Sequence, residues 1–190
     1  MVNKILAKII RVLTAYEHHE THSKYNVSVA VKLTVATFIN TVIIPMLVNF
    51  GKDKWFIRGG LMDDIFANTF SVAIINPILY LCDYEYIFKR IRMCRQERLG
   101  EKSKLTQRQA NKLFEGPSLD MAQRYSDTML LFSIVLFYFF PLPLLSLLGV
   151  IGGCLQFYIE KWMLVKRHKY PVHMGATMAD VFSRMIPIFC

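Results

Sequence analysis

The stretch TMLLFSIVLFYFFPLPLLSLLGVIGGCLQFYI, Thr128 to Ile159, runs for thirty-two residues without a charged side chain. One membrane crossing takes about twenty apolar residues, so the run is too long for one helix and short for two. Pro141 and Pro143 stand near its middle, where a turn has to fall, and Gly149, Gly152 and Gly153 follow. The sequence therefore predicts a tight transmembrane hairpin, entering the bilayer near Asp127 and leaving it near Glu160 and Lys161. The predicted fold class is all-α, an integral membrane helical bundle with four to five transmembrane helices.

Outward from the hairpin, further spans follow from the gaps between charges. Leu33–Phe50 is uncharged and extends backwards to Val27 across the single Lys32, and Ile65–Cys82 lies between Asp63-Asp64 and Asp83. Met174–Cys190 holds Asp180 and Arg184 and reads as a partial last span. These gaps divide the chain into a basic amphipathic helix and linker (1–26), two transmembrane helices (27–82), a basic helical linker (83–127), the hairpin (128–165), a turn (166–173) and the partial helix (174–190). Only about ten residues separate the first two spans, which favours antiparallel neighbours.

Composition agrees: 54% of residues are hydrophobic, against roughly 45–50% in an average soluble domain. The formal charge of +9 then reads as Lys and Arg in cytoplasmic loops, not as a nucleic-acid surface. Ten Lys and Arg fall within residues 83–127, and the N-terminal and post-hairpin segments are also basic. Residues 51–60 carry only Lys52, Lys54 and Arg58. If the hairpin crosses twice, all the basic segments share the inner side. The expected residence is the plasma or ciliary membrane, with the mitochondrial inner membrane as the alternative that the basic N-terminal helix leaves open.

Residues 1–16 carry Ile5, Leu6, Ile9, Ile10 and Leu13 at helical spacing among Lys4, Lys8 and Arg11, which predicts a helix lying on the inner leaflet. His18-His19-Glu20-Thr21-His22 misses the zinc-protease register, because Glu20 follows His19 rather than the first of two histidines four apart. No metal ligand set, cofactor or enzyme is expected. Cys82, Cys94, Cys154 and Cys190 show no paired spacing and read as free thiols. On the linker, Lys89, Arg90, Arg92 and Arg95 surround an apolar face and are candidates for binding anionic lipid headgroups. Thr106-Gln107-Arg108-Gln109 has capping-box form, and Gly116-Pro117 stops the helix it starts.

Polar residues within the spans remain. Thr37, Asn40 and Thr41 in the first, and Asp63, Asp64, Asn68 and Asn76 in the second, are candidate pore-lining groups, with Pro77 the candidate hinge. Such groups are costly in lipid unless they meet water or one another. A polar stripe on each of two helices fits an aqueous path, and equally fits interhelical hydrogen bonding.

Leu113-Phe114-Glu115-Gly116-Pro117-Ser118-Leu119-Asp120, then Arg124-Tyr125, Pro141-Leu142-Pro143-Leu144 and Phe157-Tyr158-Ile159-Glu160-Lys161-Trp162-Met163-Leu164, resemble the osmosensitive calcium-permeable cation channels. Those are kin to the anoctamins and the transmembrane channel-like proteins. Lys32-Leu33-Thr34 through Phe38-Ile39-Asn40-Thr41 resembles a pore-side helix of divergent members. The resemblance implies a lipid-facing, groove-like cation pathway opened by membrane tension, with lipid scrambling in some relatives. It also implies that 27–50, 61–82 and 128–141 are pore-side helices and that the second is the gating helix. Only the C-terminal half of such a channel is represented, so the expected partners are membrane lipids and either the missing N-terminal half or another membrane subunit, in a homo- or hetero-oligomer. A non-conducting structural or regulatory subunit is the rival expectation. The acidic calcium cluster of anoctamins is not reproduced, Glu160 and Asp180 reading as lone acids.

Overall fold

The computed structural model describes residues 2–49, 55–56, 58–82, 84–99, 106–117, 119–169 and 177–188. The expected all-α membrane bundle is what it shows: among the described residues no strand forms, and three helical runs are long and apolar enough to cross a membrane. These are His22–Val48, the run beginning at Leu61, and Leu144–Lys166.

The first run is α2 (His22–Phe38), a π-helical turn (Ile39–Ile43) and α3 (Ile44–Val48). The second has the same plan: α4 (Leu61–Phe70), a π turn (Ser71–Ile75) and α5 (Asn76–Leu81). The cause lies in Pro45 and Pro77, each at the start of the helix after a π turn. A proline lacks the N–H that would bond back to residue i−4, and its ring clashes with that carbonyl. The wider turn relieves the clash, and the last N–H before each proline bonds five residues back, Ile44 to Ile39 and Asn76 to Ser71. Tyr138, buried at the end of the hairpin's first helix, donates its hydroxyl to the Val42 carbonyl at 3.0 Å.

The hairpin forms as α8 (Met121–Phe137) and α9 (Leu144–Lys166), joined by a turn in which Pro143 caps α9. Asp120 caps α8, accepting from the Gln123 amide at 3.2 Å. Before it come α6 (Tyr84–Leu99) and α7 (Gln107–Phe114), and after it α10 (Thr177–Met185). The capping box at α7 is present: Gln109 N–H donates to Thr106 Oγ1 and Thr106 N–H to Gln109 Oε1.

Two buried clusters hold the bundle, and α8 serves both. Leu130, Leu131 and Ile134 pack with Ile65, Val72, Ala73 and Leu145 of the second run and α9. Ala122 and Met129 pack with Ile10 of α1 (Val2–Ala15), with Val29, Ala30 and Leu33 of α2, and with Met178, Phe182 and Met185 of α10. Small residues set the closest approaches. A Cβ on Gly152 would stand 2.5 Å from the Ala73 Cβ in the second π turn, and one on Gly149 would stand 2.7 Å from Val135 of α8.

The N-terminal helix departs from its sequence reading. Instead of lying apart on the leaflet, α1 packs antiparallel along α2, with Asn40 donating to Asn3 at 2.6 Å near one end and Lys32 bonded to Glu17 near the other. An apolar face at helical spacing suits a neighbouring helix as well as lipid; here Leu6, Ala7 and Ile10 go to the helix. Ile5, Ile9, Val12 and Leu13 stay exposed.

Candidate functional site

The base of the hairpin brings charge into the protein interior. Because α8 and α9 are antiparallel, the last charged residue before the apolar run and the first after it stand at the same end. Asp127 and Glu160 therefore converge, and α5 closes the site with Tyr80. Tyr80 donates its hydroxyl to Asp127 Oδ2, and Gln123 Nε2 donates to Asp127 Oδ1 at 3.0 Å. The Arg124 guanidinium lies over the Tyr80 ring, 3.4 Å from its centroid, a desolvated cation–π contact. Glu160 feels the charges of Arg124 and Asp127. Gln156, one turn before Glu160, is 3% exposed, and Arg124 is 8% exposed. Arg124 Nη1, Ser126 Oγ, both amide atoms of Gln156 and Glu160 Oε1 are buried and have no hydrogen-bond partner among the described residues. Two carboxylates around one guanidinium leave one net negative formal charge.

This cluster corrects the reading of Glu160 as a lone acid. Its signal was available: Arg124 and Asp127 are three apart and Gln156 and Glu160 four apart, each pair on one helix face. Asp180, by contrast, pairs on its own helix with Arg184 at 3.0 Å.

The other candidates are scattered. Thr34, Thr37 and Thr69 are buried and turn their hydroxyls to their own helix, bonding Ala30, Leu33 and Ile65 carbonyls at 2.7–2.9 Å. Thr41 is buried, and Asn40, Asn68 and Asn76 are half-buried. Asp63 and Asp64 are exposed in the first turn of α4, where the helix dipole favours them. Asp63 also accepts the Gly59 N–H at 2.7 Å, across a glycine whose φ of 77° suits no side chain well. Pro77 is buried after its π turn. Lys52, Lys54 and Cys190 lie outside the described residues.

On α6, Arg90, Arg92 and Arg95 are exposed, and Arg92 and Arg95 line a cleft with Gln96, Gln109 and Leu113. Lys89 turns instead to the Glu115 carbonyl oxygen. That contact belongs to a latch between the loop after α7 and the end of α9. Arg167 donates to the Leu81 carbonyl at 2.5 Å and lies 4.5 Å from the Trp162 ring centroid. Lys169 N–H donates to the Pro117 carbonyl at 3.2 Å, and Lys169 Nζ pairs with Glu115. A Cβ on Gly116 would come within 2.7 Å of the Arg167 carbonyl oxygen, so only glycine allows this approach.

The hydrogen bond from Lys169 holds the Glu115 carboxyl below the usual carboxylate range, with Lys169 and Lys89 charges adding to it. A depressed value in the folded state means that the pair contributes above the ordinary carboxylate pKa and is lost as pH falls through the depressed one. Hydrogen-exchange protection of the Lys169 amide, corrected for intrinsic rate, should therefore hold near neutrality and fall on the acid side of the usual range. Glu115→Gln should flatten that dependence; an unchanged acid profile in this variant would place its source elsewhere.

A family model, the anoctamins, described as calcium-activated chloride channels, matches residues 1–189. The chain belongs to the anoctamin family, and it is a channel- or scramblase-like membrane region. No curated protein and no solved structure matches it.

The family's description implies calcium, and the residues here do not fit it. Calcium takes six to eight oxygen ligands, several of them carboxylate. Among the described residues no group of three or more His, Cys, Asp and Glu side chains is arranged to hold a metal. Where two acids do converge, Asp127 has both oxygens engaged and Arg124 already supplies positive charge.

Proposed function

We propose that the chain forms part of the wall of a cation pathway opened by membrane tension, running along the lipid-facing groove between the first and second spans. The observation that carries this reading is the pair of π turns, each set immediately before a proline in one of the two spans. Single π turns within α-helices recur at functional sites, and a helix that already holds one has a built-in place to bend. The packing suits a groove: α2 lies mainly on α8, the second run lies mainly on α9, and α3 meets α4. Exposed Asp64 and Asp63 at the start of α4 give one mouth negative charge, which favours cations. Exposed Arg90, Arg92 and Arg95 supply the positive charge that would meet anionic headgroups on the basic side. The rest of the wall comes from lipids and from another segment or subunit.

The test is patch recording under stretch from membranes holding the chain with its channel assembly. Tension should open a current whose reversal potential follows cations. Pro77→Ala should straighten the second span and lower open probability at fixed tension by about tenfold, equivalent to about 1.4 kcal/mol. Asp64→Asn should reduce cation preference without moving the tension threshold. A current that follows chloride, or an assembly that binds the chain and shows no tension response, overturns the reading.

A further inference from the structure

Calcium sites between helices act as removable cross-links: the acids repel one another until the ion arrives. At the convergence of α5, α8 and α9 the repulsion is met from within the chain. Arg124 is on α8, one turn from Asp127, buried to 8% exposure and seated face-on against Tyr80 of α5. Asp127 accepts from Tyr80 on one carboxylate oxygen and from Gln123 on the other, so a metal would have to compete with both donors. Glu160 Oε1 and Arg124 Nη1, an acceptor and a donor, are the cluster's open charged atoms. A divalent cation entering there would meet a guanidinium in a low-dielectric site, where like charges repel far more strongly than in water.

We propose that Arg124 is a tethered counter-ion standing in for a bound cation, so that the second span and the hairpin are held together without calcium. The site then accepts no divalent metal, and Arg124 adds a fixed positive charge where the ligand set is already too small to hold one. The claim concerns how the helices are held and does not rest on the pore reading, so it is tested by stability rather than current.

The experiment is thermal unfolding of the full chain in detergent or lipid nanodiscs, in EGTA and in 1 mM calcium chloride. A calcium site occupied at about a hundred times its Kd would raise the midpoint by about 5–10 °C in a chain of this size. The wild type is expected to show no such rise. Arg124→Gln should lower the midpoint by about 5 °C or more in EGTA, and Arg124→Lys, which keeps the charge, should recover much of that loss. If Arg124→Gln does not fold, sensitised terbium emission from the wild type serves instead, with no saturable signal expected. A calcium-dependent rise or a saturable terbium signal in the wild type, removed by Glu160→Gln, overturns the proposal. So does an Arg124→Gln midpoint equal to that of the wild type.

Discussion

Asp127→Ala is expected to lower the stability of the helical bundle by about 3–5 kcal/mol. The carboxylate accepts from Tyr80 on one oxygen and from Gln123 on the other, and a buried guanidinium stands one turn back on the same helix. Truncation orphans two donors, each worth about 1–3 kcal/mol when buried without a partner, and leaves Arg124 with only Glu160 to balance it. Tyr80→Phe removes one donor and leaves Asp127 Oδ2 without it, so it should cost about 1.5–3 kcal/mol. Unfolding in mixed micelles gives both values, and the double variant measures their coupling. A loss near 1 kcal/mol for Asp127→Ala would show that water reaches the cluster and that its charges are screened.

Gly152 carries the second large effect. The Cβ of an alanine there would sit 2.5 Å from the Ala73 Cβ and 2.9 Å from its Cα, and backbone cannot step aside as a long side chain can. Gly152→Ala should cost about 1–3 kcal/mol through overpacking, set against about 1 kcal/mol of helix propensity regained. Gly152→Leu should prevent α9 from seating on the second π turn altogether. Gly153 is the internal control. Nothing lies within 4 Å of a Cβ built on it, so Gly153→Ala should be neutral or mildly stabilising. Equal effects at the two glycines in the same unfolding assay would mean that the Ala73 contact does not determine the packing.

Much of the architecture is legible in the sequence, because membranes impose simple constraints. An uncharged run too long for one helix and split by prolines has to turn, and α8 and α9 do. The capping box at Thr106 was legible for a similar reason: its chemistry is local. The N-cap of α8 is less so. Ser118 and Asp120 are both of a capping type, and Asp120 accepts from Gln123; only the onset of the helix decides between two such residues. The hydroxyls of Thr34, Thr37 and Thr69 were ambiguous in principle. A hydroxyl on a helix can reach its own i−4 carbonyl without any neighbour, and sequence cannot say which acceptor wins. The docking of α1 on α2 was hidden for a related reason, since hydrophobic periodicity names a buried face but not what buries it. The buried cluster was the real omission. Asp127 and Glu160 marked where the hairpin entered and left the membrane, and a hairpin places its entrance beside its exit.

The π turns also alter which side chains share a direction. In an uninterrupted α-helix, Asn68 and Asn76 are eight residues apart and diverge by about 80° around the axis. One residue of the second span is absorbed as extra winding between them, so the angle closes to about 20°. The two amides of the second span therefore point the same way although their spacing denies it. A helical wheel drawn from the sequence at constant pitch assigns them to different sides, and it misorders everything on the far side of Pro77 as well.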